Sequence, residues 1–430
     1  MNLMLKFSIA LLLSTNTAAM TQSEFVERLK EVHPFFTQQD FDQQAVQQDF
    51  IASTANQDWA LNASIDSKNT LNQQSSSASA GATRSLVSTG ADVTINNIWN
   101  DGITGDKFSI DYTHPLLKGV NGINDQLAGD LSKIKISINA LKLLQKEEDF
   151  VLLQLTKLVD LSFAQQQLLL TNARIELAQQ ELNLVKEKFE QSVVDVVDVY
   201  LQEDAYQRAL QKQLQAEQAL DLLKEELAIV LDMPAKSIQS DYNLYELYNS
   251  NLNNLNLHLR NNSTEMRITG LERSLLQRQL ASDQNNTQVQ LDLKLGASSA
   301  NDNDWNIGLG LSYPLGDTKA KSALTKTRIS LSKAKENSEE QLINLTIKAR
   351  VFDKKLIHLT KLLDTYQARI EIANARSEAE KKRYELGNSQ MSFVISAQNN
   401  VHDVKLAYAQ AAQNYQKTAL EFKAVVDQLL

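Results

Sequence analysis

The chain has 430 residues, a formal net charge of −9, 22% charged residues and no cysteine. The missing cysteines exclude disulfides, thiol chemistry and a lipid-modified cysteine anchor, and the acidity argues against nucleic acid and anionic lipid surfaces as partners. Four prolines and 13 glycines over this length suit a helix-dominated chain.

Residues 1–19 predict a secretory signal peptide. Lys6 precedes the short apolar run that ends at Leu13, and small residues lead to an expected cleavage near Ala19. That run is too short to span a bilayer, and no later segment is an unbroken apolar run of spanning length. No transmembrane helix is therefore expected in the mature chain.

Residues 22–51 predict a helix, with Phe25, Val26, Leu29, Val32 and Phe36 at helical spacing. The period then changes to two. Trp59, Leu61, Ala63 and Ile65 share one face, against Ala60, Asn62, Ser64 and Asp66; Phe108–Thr113 alternates in the same way. Between these strands lies the serine- and alanine-rich run 72–82, and 89–96 alternates again, so a first hairpin with a long polar external tip is expected. Two long helices are predicted over about 126–190 and 319–385, from apolar stripes such as Leu141, Leu144, Val151, Leu155 and Leu342, Leu345, Ala349, Phe352. At 1.5 Å per residue each is a rod of about 100 Å, a length that implies coiled-coil packing. Breaks at Gln191-Ser192 and Gly387-Asn388 lead into shorter helices over about 194–231 and 391–428. A second, shorter hairpin is plainer. Val289, Leu291, Leu293 and Leu295, then Trp305, Ile307, Leu309, Leu311 and Tyr313, alternate with polar residues or glycine.

The second half thus repeats the first. Phe189 aligns on Tyr384 at an offset of 195 residues, and Pro115 on Pro314 at an offset of 199. The expected organisation is a leader (1–19), a first repeat of helix, long β-hairpin, long helix and helix (20–234), a polar connector (235–262) and a second repeat (263–430). Ten-residue alternation ended by aromatics fits a membrane barrel strand, and a half-buried soluble strand has the same period. The leader and the lack of another membrane anchor favour the barrel, with Trp59, Tyr112, Trp305 and Tyr313 as its aromatic belt.

Several segments resemble the TolC-like outer membrane efflux family. They are Tyr384-Glu-Leu-Gly387 followed by Phe393-Val-Ile-Ser-Ala-Gln398 and spaced alanines, and the strand-to-helix junctions Pro115-Leu-Leu-Lys-Gly119 and Pro314-Leu315. Their order, spacing and duplication cover nearly the whole chain. The resemblance implies a mainly α fold with membrane strands: a duplicated long-helix coiled-coil tunnel in the periplasm, and a composite β-barrel to which three protomers give four strands each. It implies as partners the homotrimer, outer membrane lipid, a periplasmic adaptor, and an inner-membrane efflux pump or ABC exporter, as in type I secretion. It implies no cofactor. The sequence adds that two hairpins cannot close a barrel, so an open edge would face lipid unless copies associate.

In that family the inner constriction lies at the two helical turns and often carries carboxylates. Here the matching positions of the second turn hold Phe393 and Ser396, which makes a hydrophobic constriction possible, whereas the first turn keeps Asp195 and Asp198. The resemblance implies a bond from Tyr384 to Asp198 that holds the mouth shut. It also implies adaptor docking near residues 186–200 and 380–396, around Phe189, Ser192 and Gly387. A plainer reading stands beside it: Ser192 and Asp195 nearly match a capping box, and acids suit a helix N-terminus. No enzyme is expected, because His33, His114, His258, His358 and His402 are scattered without metal-ligand spacing and no phosphate-cradling glycine loop occurs. The expected function is an outer membrane exit duct for efflux or secretion. The alternative is a periplasmic coiled-coil adaptor or scaffold without a pore.

Overall fold

The computed structural model describes residues 19–70, 73–101, 105–248, 254–299 and 303–430; the leader expected over 1–19 lies outside them apart from Ala19. The N-terminal helical stretch is two helices, α1 (Gln22–Val32) and α2 (Pro34–Ser53). Thr21 and Glu24 close a capping box on α1, and Phe25 and Leu29 are fully buried. The single helix expected over 22–51 breaks at His33 because Pro34 takes the first position of a new helix.

Strands β1 (Ala60–Thr70), β2 (Gln73–Leu86), β3 (Ala91–Asn100) and β4 (Lys107–Pro115) follow. The first repeat therefore carries four strands where one long hairpin is expected. The serine-rich stretch read as a polar tip is most of β2. Its period of two is hard to see because alanine alternates with serine and glycine, a weak contrast in hydrophobicity.

A short turn leads to α3 (Leu127–Glu190, 64 residues) and α4 (Val196–Leu231). The connector is not loose. Met20 pairs with Gln239 and Asp241, the Tyr242 hydroxyl donates to Gln416 at 3.1 Å, and the Gln416 amide donates to the Leu244 carbonyl at 2.9 Å. The connector then forms α5 (Leu255–Asn262) and leads to α6 (Thr264–Asn286). Strands β5 (Gln290–Ser299) and β6 (Asn303–Ser312) precede α7 (Thr318–Glu385, 68 residues) and α8 (Met391–Val425).

The chain divides into two compact units, each drawn from both repeats. One comprises Met1–Thr37, Lys146–Leu255 and Leu345–Leu430, and the other Gln38–Gln145 and Asn256–Asn344. The second unit holds the sheet, an antiparallel meander in the order β1-β2-β3-β4-β5-β6. Opposed residues point to the same face, so its register defines rows. One row reads Leu61, Ala82, Ile95, Ile110, Ala297 and Trp305 across all six strands. The adjacent row on the other face reads Asn62, Gly81, Asn96, Ser109, Ser298 and Asp304. The apolar face is bare: Leu61 is 81% exposed, Ile65 85%, Trp305 79% and Leu311 74%. Trp59 and Tyr313 flank one end of the sheet, just before β1 and just after β6, and Trp305 lies toward the other end with Trp99 and Phe108. Beneath the sheet, Ile138, Leu141 and Ile268 form a small core, and Arg278 donates to Asp130 at 2.6 Å and to the Ile123 carbonyl at 2.6 Å.

Candidate functional site

The turns α3–α4 and α7–α8 are built alike. Val193 N–H donates to the Lys188 carbonyl at 2.8 Å, and Asn388 N–H to the Arg383 carbonyl at 2.8 Å. Ser192 N–H donates to the Phe189 carbonyl at 2.9 Å, and Gly387 N–H to the Tyr384 carbonyl at 3.0 Å. Each pair forms a Schellman ending, which needs a left-handed residue just past the helix. Ser192 has φ 57° and Gly387 φ 72°. Every matched bond is displaced by the offset of 195 seen in the sequence.

The capping box expected from Ser192 and Asp195 does not form. Ser192 is the left-handed residue of the preceding helix end, and Asp195 is itself the extended N-cap of α4 without a side-chain cap bond. Gln390 holds the same place before α8, also without a side-chain cap bond.

Packing at the turns is apolar. Val185, Val199, Met391 and Val394 are buried together, with Val194, Tyr384 and Ile395 against them. Tyr384 is half-buried, and the Lys188 ammonium sits 4.8 Å from its ring centroid. Burial, then the negative charge of Asp198, pushes the Tyr384 phenol above its ordinary pKa. The bond implied between Tyr384 and Asp198 is absent: the tyrosine hydroxyl is buried without a hydrogen-bond partner. The packing draws its ring into the Val185–Met391 cluster and leaves the carboxylate half-buried nearby.

Phe393, 53% exposed, and Ser396 share the outward face of α8, opposite Met391, Val394 and Ala397. Asp195 and Phe189 are exposed as well. Tyr384 and Asp198 are thus brought together, while Phe393 and Ser396 stand apart from them on an open face.

Sequence reasoning missed the polar layer next to the turns. Glu181 is buried on α3 and accepts from the Gln202 amide at 3.0 Å and from the Gln398 amide. Arg174, also buried, donates from Nε and Nη2 to Asn399 Oδ1 at 3.2 and 3.1 Å. Burial holds the Arg174 pKa down while Glu181 and Asp403 raise it. The available signal was Glu181 itself, which falls on the stripe formed by Ala178, Leu182 and Val185. Among the described residues, no group of acidic or histidine side chains is placed to hold a metal ion, and no helix is long and apolar enough to cross a membrane.

No family model and no curated protein matches the chain in sequence. Solved structures do match in three dimensions. The transmembrane channel CusC superposes with a TM-score of 0.74 at 10% identity, over 94% of this chain and 91% of that one. The outer membrane protein VceC of Vibrio cholerae gives 0.70 at 11% identity, over 94% and 95%. The outer membrane channel MtrE of Neisseria gonorrhoeae, in its open state, gives 0.69 at 11% identity, over 95% and 89%. At such identities the likeness is one of fold, and it extends over nearly the full length of each partner.

Proposed function

We propose that the chain is an outer membrane channel of the TolC-like kind, a passive exit duct for efflux or secretion. One observation carries the proposal: the sheet bears one bare apolar face and one polar face, within a fold shared end to end with outer membrane channels. Lipid requires the first face and a water-filled lumen tolerates the second. On this reading three copies close the barrel, and the paired long helices form a periplasmic tunnel. An adaptor docks around Phe189, Ser192 and Gly387, and an inner-membrane transporter supplies the energy.

The gate is part of the same proposal. The turns would form the inner mouth, with Phe393 and Ser396 facing the passage from the second and Asp195 and Asp198 from the first. The exposed Phe393 supports an apolar constriction. The Tyr384 hydroxyl, which bonds nothing, gives no support to a latch onto Asp198 within one protomer.

The test is electrical and electrophoretic. Purified protein should migrate as a heat-modifiable trimer and give single-channel conductance in planar bilayers. A monomer that remains soluble after periplasmic extraction and conducts nothing would instead identify a coiled-coil scaffold.

A further inference from the structure

We infer that β2 and β3 are wall strands of the barrel, so that each copy contributes six strands and β1 of one copy pairs with β6 of the next. This rests on the trimeric channel reading; three copies of the six-stranded sheet then close an eighteen-stranded barrel. The resemblance by itself implied four strands per copy.

The ladder leaves β1 no other route into the wall. It pairs with β2, β2 with β3 and β3 with β4, and β1 has no pairing with β4. Leu61 and Ile65 make the outer face of β1 as bare and apolar as that of β6. A lipid-facing β1 therefore requires β2 and β3 to lie between it and β4.

The rows agree. Ala82 and Ile95 continue the apolar row from Leu61 to Ile110, and Gly81 and Asn96 continue the polar row from Asn62 to Ser109. An external flap would have no reason to keep the in-and-out alternation of its neighbours in phase.

The turn of the hairpin is also fixed. Gln126 Nε2 donates to the Val87 carbonyl at 3.1 Å, and a Cβ on Gly122 would fall 1.7 Å from that same oxygen. The β2–β3 turn is thus seated on the junction between β4 and α3, where only glycine admits it.

Among the described residues, both outer edges of the sheet are open, on β1 and β6. Bare backbone groups are not tolerated in hydrocarbon. Because six is even, β1 and β6 run antiparallel, and the two neighbouring copies of a trimer can satisfy the two edges in the same sense as every other pair. Barrel diameter grows roughly linearly with strand number, so eighteen strands give a mouth about 1.5 times as wide as twelve.

The cysteine-free chain allows a direct test. Single variants Ser79→Cys and Thr83→Cys on the polar face, and Ala80→Cys and Ala82→Cys on the apolar face, are assembled at full length in outer membranes. They are then treated with a membrane-impermeant maleimide. The expected result is labelling of the first pair at least about fivefold above the second, the alternation of a wall strand. Equal labelling of all four would overturn the inference. In parallel, Ser64→Cys is combined in turn with single cysteines along 304–311 of β6 or 108–113 of β4. Oxidation should link β1 to β6 between copies at alternate positions. Links from β1 to β4 within one copy would mean that β2 and β3 loop out of the wall. Failure of the channel reading is seen separately, as wild-type protein without conductance, and would overturn both.

Discussion

Ser192 and Gly387 occupy the same position in two matching helix ends: each is the left-handed residue of a Schellman turn, with φ 57° and 72°. Only one of them is glycine. A side chain in the left-handed region costs about 1–2 kcal/mol, part of which glycine's greater freedom in the unfolded chain offsets. Ser192→Gly should therefore raise stability by about 1 kcal/mol, and Gly387→Ala should lower it by a similar amount. Denaturant unfolding of each variant, followed by circular dichroism, checks the pair; opposite signs are the expected outcome.

The tyrosine at the second turn carries a different expectation. Its hydroxyl is buried without a partner, so removing it relieves an unsatisfied polar group. Tyr384→Phe should leave stability unchanged or raise it by up to about 1 kcal/mol. On the proposed channel reading, with no bond to Asp198 to lose, resting conductance should also stay unchanged. A large rise in resting conductance from this variant alone would restore the latch.

The buried carboxylate near the turns should be sensitive to truncation. Glu181→Ala would strand the Gln202 and Gln398 amides, both buried, and would remove the negative charge beside Arg174. The expected loss is about 3 kcal/mol, from unsatisfied donors at roughly 1–3 kcal/mol each. Thermal unfolding of the purified protein measures it, and a loss below about 1 kcal/mol would show that the layer relaxes freely.

Stability should also respond to pH through Glu148. Burial, then the charges of Asp427 and Asp149, pushes its carboxyl up to about 7 from an ordinary 4.5. Between these values the folded chain binds more protons than the unfolded one, so this group makes stability fall as pH rises from 4.5 to 7. Glu148→Gln should match wild type below pH 4.5 and exceed it at pH 8. A stability difference that does not vary with pH would contradict the assignment.

The sequence by itself determined the periodic parts. The apolar stripes of α3 and α7, the break at Gly387 and the alternation from Trp305 to Tyr313 are local signals, because the residues that set them are near neighbours in the chain. The offset of 195 aligns the two turns in sequence, and the structure adds that their backbone bonds match one for one. Tertiary structure decided what depends on distant partners. The alanine and serine of β2 carry too little contrast to announce a strand, and pairing with β1 and β3 makes them one. Glu181 lies on an apolar stripe, and glutamine amides from two other helices together with the charge of Arg174 explain why a carboxylate is tolerated there. Tyr384 and Asp198 are far apart in sequence. Their proximity follows from the fold, and so does the missing bond, because the apolar cluster at the turns claims the ring before the carboxylate can claim the hydroxyl.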